Sequence, residues 1–135
     1  MSPATLSRRV AAQQALADLR RYRQDLTRER LIGDRDEQRK VLHALYAATQ
    51  ACIDEATYLC ARRQLDADSY RGAFLALASA AAIKPELAAA MADWASLRNV
   101  LAHFYPVIDL DKVWAALADL DELETFMVRA AELEP

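Results

Sequence analysis

Apolar residues recur at spacings of three and four along most of this chain, the periodicity of helices that turn one face inward. From about Ala4 to Leu26, the residues Leu16, Leu19, Tyr22 and Leu26 form one such stripe, flanked by Asp18, Arg20, Arg21 and Asp25. Gly33 interrupts the pattern. Asp34, three residues before Glu37, is placed to cap a second helix by accepting from its free backbone N–H groups. That helix runs to about Arg63, ~45 Å at 1.5 Å per residue. Its stripe is the clearest in the chain: Val41, Leu45, Thr49, Cys52, Ala56, Leu59 and Arg63, widened by Leu42, Tyr46, Ile53 and Cys60. A face that broad is expected to touch more than one neighbour. Asp66, Asp68 and Ser69 make a polar joint, after which a third helix is expected over Tyr70 to Ile83. Pro85 suits the first position of a fourth helix, with Glu86 near the positive end of its dipole. Leu87, Met91, Trp94 and Leu101 share one face of it, and Pro106 stops it. Asp109 or Asp111 caps a fifth helix through Val113, Leu117, Leu120 and Met127.

Five helices with short connections predict an all-α antiparallel bundle, one domain over residues 1–135. Composition agrees, with 29 Ala and 19 Leu against 2 Gly and 4 Pro. β-Branched residues are too sparse to furnish a sheet. The longest apolar run, Ala73 to Ile83, contains Ser79 and stops at Lys84-Pro85, short of the ~20 residues a membrane span needs. Polar Gln13-Gln14 follows Arg8-Arg9 where an export signal would be apolar. Cys52 and Cys60 are eight apart and read as buried, reduced thiols of a cytoplasmic protein. The net charge of −3 hides an asymmetry, +4 over residues 1–63 and −7 over residues 64–135. Such a split permits a basic face for a polyanion, and equally permits solvated charge on helix backs.

Standard motifs are absent: no glycine-rich phosphate loop, no HExxH, no zinc-spaced Cys/His cluster and no GxSxG elbow. The two histidines, His43 and His103, lack the Glu three residues earlier that a di-metal bundle site would use, so neither metal nor cofactor is expected. One stretch breaks the local rules. Arg98 falls four after Trp94 and three before Leu101, inside the apolar stripe of the fourth helix. A guanidinium there must find a partner, because an unpaired buried charge is very costly. His103, Phe104, Tyr105 and Pro106 follow, so a permanent cation, an imidazole and a phenol meet at one helix end. Asn99, at i−4 from His103, is placed to orient its ring if the helix persists that far. The plainer reading is that Arg98 pairs with an acid, His103 ends a helix and Tyr105 is a core aromatic. This combination arises by chance in roughly one chain of this length in a few hundred. His43, in the middle of the second helix, reads as a packing or surface residue.

The pattern Arg98-x4-His103-x-Tyr105, with Asn99 directly after the arginine, resembles the Rx4HxY signature of HEPN ribonucleases, specifically the HepT-like toxins. Asp34-Arg35-Asp36, Ala51-Cys52-Ile53-Asp54, Leu97-Arg98-Asn99-Val100-Leu101 and Val107-Ile108-Asp109 toward Val113-Trp114 are similar to the same family. The likeness covers about residues 34–130, and the first helix fits only loosely.

The resemblance implies a metal-independent endoribonuclease toxin, a homodimer whose two motifs face a shared cleft. It implies an MntA-like nucleotidyltransferase antitoxin that silences the toxin by adding AMP to Tyr105. The chemistry is consistent with those residue types. Without a metal, the RNA 2′-hydroxyl is the nucleophile; His103 can serve as base or acid near neutrality. Arg98 can hold two non-bridging phosphate oxygens as charge builds, and Tyr105 can donate to phosphate or position the ring. The acidic isoelectric point, about 5.4, places the burden of RNA binding on a local basic cleft. The alternative is a non-catalytic binding module or partner subunit of a nucleotidyltransferase. That reading gives Arg98 no reason to occupy an apolar stripe.

Overall fold

The computed structural model describes residues 2–103 and 108–134, all of them helix, turn or connecting segment with no strand. The helices are α1 (Pro3–Asp25), α2 (Arg28–Gly33), α3 (Arg35–Arg62), α4 (Tyr70–Ser79), α5 (Pro85–His103), α6 (Leu110–Ala116) and α7 (Leu120–Leu133), with a 3₁₀ turn at Leu117–Asp119. The all-α bundle expected from the apolar pattern is therefore present. The expected stop at Pro106 lies outside the described residues. No helix among the described residues is long and apolar enough to cross a membrane.

Side chains that accept from free N–H groups mark the helix starts. The Ser2 hydroxyl accepts from Thr5 N at 3.1 Å, and Thr27 accepts from Arg30 N at the same distance to begin the short α2. Asp34 takes the backbone N–H groups of Asp36 and Glu37, at 2.9 and 3.3 Å, and starts α3 as the sequence predicts. These bonds hold the Asp34 carboxyl below its ordinary range, aided by Arg30. Asp109 caps α6 in the same way.

α3 is the axis of the bundle. Val41, Leu45, Ala56 and Leu59 are fully buried, and α1, α4, α5 and α7 all pack against this helix. Its broad stripe is thus consumed within one chain and does not by itself call for a second copy. Register follows from named pairs. Arg8 and Arg9 reach Glu55 while Lys40 sits 5.9 Å from the Tyr22 ring, so α1 runs antiparallel to α3. Arg20 meets Asp121 and Glu124, and Arg9 meets the Glu134 carbonyl, so α7 runs antiparallel to α1 and parallel to α3. Phe74 of α4 and Phe126 of α7 meet edge to face, 5.1 Å between ring centres. Cys52 and Cys60 are buried free thiols. Burial, with the Glu55 charge adding to it, pushes the Cys52 thiol up to about 12, so it stays protonated and unreactive at neutral pH.

Three segments differ from expectation. α2 was not anticipated; Thr27 caps it and Leu31 anchors it in the core. The fifth helix is broken by the 3₁₀ turn into α6 and α7. α4 ends at Ser79 rather than Ile83, because Ala81 turns left-handed (φ 61°) and folds Ala82 and Ile83 into the core. Ala82 N–H bonds back to Leu77 O at 2.9 Å and Ala81 N–H to Ala78 O at 2.9 Å, the paired closure of a Schellman motif. α3 ends in the same way, with Gln64 left-handed (φ 56°) and Leu65 N–H on Cys60 O. Both left-handed positions are usually glycine, and both side chains here are exposed. Ala81→Gly is expected to stabilise the fold by about 1 kcal/mol, relieving the Cβ clash without loss of packing. A urea melt should show a higher midpoint at unchanged slope; a lower midpoint would contradict this account of the turn.

Candidate active site

α5 runs antiparallel to α3, which brings its last two turns against the first half of that helix. Arg98 lies between buried Trp94 and buried Leu101, as its position in the stripe requires, and is itself half-buried. Its Nε donates to Gln50 Oε1 at 2.5 Å, one terminal nitrogen to Tyr46 Oη at 3.1 Å, and the other to Asn99 Oδ1 at 3.2 Å. The guanidinium also lies 5.2 Å from the Tyr46 ring centre and 5.1 Å from that of Tyr70, the first residue of α4.

Every one of these partners is neutral. No carboxylate among the described residues pairs with Arg98, contrary to the plainer expectation that it would find an acid. Other inward arginines are treated differently: Arg8 and Arg9 share the buried Glu55 carboxylate at 3.1 and 3.4 Å. A guanidinium has five N–H donors, so three bonds leave one on each terminal nitrogen. A fixed, partly desolvated cation with donors to spare on both terminal nitrogens suits an oxyanion such as a phosphate.

α5 persists to His103, which is exposed at the helix end. Asn99, expected to orient that ring, uses its side-chain oxygen to accept from Arg98. Tyr105 lies outside the described residues. The sequence reading missed Tyr46, Gln50 and Tyr70 as parts of this site. Tyr46 had been assigned to the apolar stripe, and the available signal was a polar edge on α3, Arg39-x3-His43-x2-Tyr46-x3-Gln50, at helical spacing. Arg39, His43 and Tyr46 line a cavity of about 270 Å³ floored by Leu42 and Leu101. A larger cavity of about 740 Å³ lies elsewhere, between α1, α3 and α7, lined by Arg8, Arg9, Leu16, Glu55 and Phe126 among others. Arg98, Asn99 and His103 are not among the described residues that line it. Among the described residues, no three His, Cys, Asp or Glu side chains converge as a metal site would require.

The model of the family described as "Ribonuclease HepT-like" matches residues 12–130, nearly the whole chain. The chain belongs to the HepT-like family. That match extends into α1, which the motif resemblance had left loosely placed. No curated protein sequence matches significantly. Solved structures that share the fold of this HepT-like chain include these three. One is a toxin–antitoxin crystallised with AMP-PNP, 22% identical, covering 96% of this chain and 99% of its own, with a TM-score of 0.84. Another is a tri-AMPylated HEPN toxin from Shewanella oneidensis in complex with an MNT antitoxin, 23% identical over 96% of this chain and 97% of its own, TM-score 0.84. The third is an MntA–HpeT toxin–antitoxin in a tyrosine-to-alanine mutant form, 23% identical over 93% and 95%, TM-score 0.83.

The Arg98–Gln50 bond should be visible in solution. Arg98 Nε–H is expected to exchange slowly, and Gln50→Ala to speed that exchange roughly tenfold, the factor that corresponds to ~1.4 kcal/mol for a charge-assisted bond. Nitrogen-detected NMR of the arginine side chains reads this directly; equal exchange in both proteins would remove Gln50 from the site.

Proposed function

We propose that this HepT-like chain is a metal-independent endoribonuclease toxin, held in check by an MntA-like nucleotidyltransferase antitoxin. The observation that carries the reading is the charge of Arg98, half-buried against the bundle and paired with no carboxylate among the described residues. A scaffold subunit would neutralise that charge or exclude it, whereas an RNA phosphate completes it. In the proposed reaction Arg98 holds two non-bridging oxygens of the scissile phosphate. Its grip tightens as negative charge builds on the phosphorane. His103, at the exposed end of α5, moves a proton to or from the reacting oxygens, and Asn99 fixes Arg98 between them. Tyr105 donates to the phosphate or positions the ring, and needs no cofactor to do so.

Control acts at the same place. AMP on the Tyr105 oxygen puts a phosphodiester where the RNA phosphate belongs, and Arg98 pairs with it instead. Solved relatives of this fold include an AMPylated toxin bound to an MNT antitoxin, which supports the same assignment here. The proposed protein is one domain over residues 1–135 and acts in the cytoplasm. A homodimer would set Arg98 and His103 of both copies in one groove.

Expression of the wild type alone is expected to arrest growth with fragmented RNA, and co-expression with the adjacent nucleotidyltransferase to relieve both. Arg98→Ala, Arg98→Lys and His103→Ala should each lower cleavage by a factor of at least ~100 while remaining folded. With ATP and Mg²⁺, the antitoxin should add AMP to the wild type and none to Tyr105→Phe, as intact mass reads. Normal growth and intact RNA under strong expression would favour the non-catalytic partner subunit.

A further inference from the structure

α4 turns Ala73, Phe74 and Leu77 inward, each at most 2% exposed. Tyr70 stands three, four and seven residues before them, on the same stripe. Continuing that stripe would bury it, yet Tyr70 is 38% exposed. The ring meets the Arg98 guanidinium, 5.1 Å from the ring centre. Its hydroxyl has no hydrogen-bond partner among the described residues, whereas those of Tyr46 and Tyr58 meet Arg98 and Glu134. An inward-facing aromatic is thus left uncovered beside the one cation of the site that lacks a carboxylate.

The position of this ring is fixed by its neighbours. Ser69 caps α4 by accepting from Gly72 N–H at 2.9 Å, which makes Tyr70 the first helical residue. Arg71, next in the chain, donates to Ala92 O and Ser96 Oγ of α5 at 2.9 and 2.7 Å and reaches Asp93 at 3.4 Å. The start of α4 is thereby fastened to α5 within two residues of Arg98. A tyrosine has only two side-chain torsions, so little freedom is lost when a flat ligand settles on it. The acids of the preceding joint point elsewhere. Asp66 and Asp68 line a hollow with Gly72, Leu75 and Ser79, positions ~140–200° around α4 from Tyr70 at ~100° per residue.

A cation with donors to spare and an open aromatic face, side by side, are two surfaces that one nucleotide satisfies. The phosphate takes the guanidinium. The base, a flat π system joined to that phosphate through a single sugar, takes the ring. Every base has a π face, so such a platform reads no sequence by itself.

We propose that Tyr70 is the base-stacking residue of this site: an unpaired nucleobase of the RNA packs on its ring while the adjoining phosphate pairs with Arg98. The proposal rests on the ribonuclease reading. Tyr70 moves no proton; it binds substrate and sets where along the strand the scissile phosphate comes to rest. The stack is the same before and during bond breaking, so it acts on KM and leaves kcat nearly unchanged. A base held in a duplex is not available to it.

The test takes a short RNA that the wild type cuts and places an abasic sugar, or the fluorescent base 2-aminopurine, in turn on either side of the cleaved bond. Binding is read on the same RNA with a 2′-deoxy sugar at that bond, which cannot react. Tyr70→Leu keeps apolar bulk against Arg98 without an aromatic face, and Tyr70→Phe keeps the face. At one of the two positions, 2-aminopurine is expected to be quenched on binding wild type and Tyr70→Phe, and not on binding Tyr70→Leu. Tyr70→Leu should raise KM about tenfold with kcat within about twofold, and the abasic RNA should weaken wild-type binding by a similar factor. The two losses should not add, so that Tyr70→Leu binds parent and abasic RNA alike. A loss on abasic RNA as large as on the parent, or a fall in kcat at constant KM, would show that Tyr70 only supports Arg98 and overturn the proposal. Wild-type KM and quenching in Tyr70→Leu would also overturn it and leave the ribonuclease reading standing. A wild type that cuts no RNA removes that reading and this one with it.

Discussion

A guanidinium held half-buried in a helical bundle by two side-chain amides, a phenol and the faces of two aromatic rings meets no carboxylate among the described residues. Most arginines that face a protein interior are neutralised, and elsewhere on α3 Glu55 does that for Arg8 and Arg9. At Arg98 the chain offers dipoles instead. Gln50, Tyr46 and Asn99 fix the direction of the group without cancelling its charge, and the rings of Tyr46 and Tyr70 shield its faces. Dipoles and quadrupoles are weaker partners than a carboxylate, so the site keeps an affinity for an anion. The rest of the architecture is arranged around that imbalance: α3 provides the dipoles, α4 a ring, and α5 the cation.

The bundle was legible because each long helix has a strongly periodic apolar face and a recognisable start. Asp34 and Pro85 act locally, and their effects follow from the residues beside them. What escaped depended on partners distant in sequence. Ala81 takes a left-handed conformation that alanine does not favour, because burying Ile83 and meeting Pro85 require the turn there. No local signal marks it. The break between α6 and α7 is of the same kind, since the apolar pattern continues through Leu117 and Leu120 without interruption.

The site was half legible for the same reason. Arg98 announced itself as a charge in an apolar stripe, and His103 by its place at the helix end. Their supporting side chains lie about fifty residues away on α3, where a tyrosine among leucines reads as core and a glutamine on a helix edge reads as solvent-facing. Only the antiparallel register of α3 and α5 gives Tyr46 and Gln50 their meaning.

The joint after α4 has a consequence for how the site is tuned. Tyr70, at the start of α4, faces Arg98, and the adjacent Arg71 is clamped to α5 through Ala92 O, Ser96 and Asp93. The other end of α4 is closed by the two backbone bonds around Ala81 before the chain enters α5 at Pro85. α4 and α5 are therefore a stapled hairpin, fixed at both ends, and the electrostatic surroundings of Arg98 are set partly by the pitch of a helix that contributes no residue of the motif. Sequence drift on the outer face of α4 leaves the guanidinium untouched. A change in the length of α4 does not, because each residue turns a helix by ~100° and would swing the Tyr70 ring away from the cation it shields. The arrangement therefore constrains the length of α4 more tightly than the composition of its outer face.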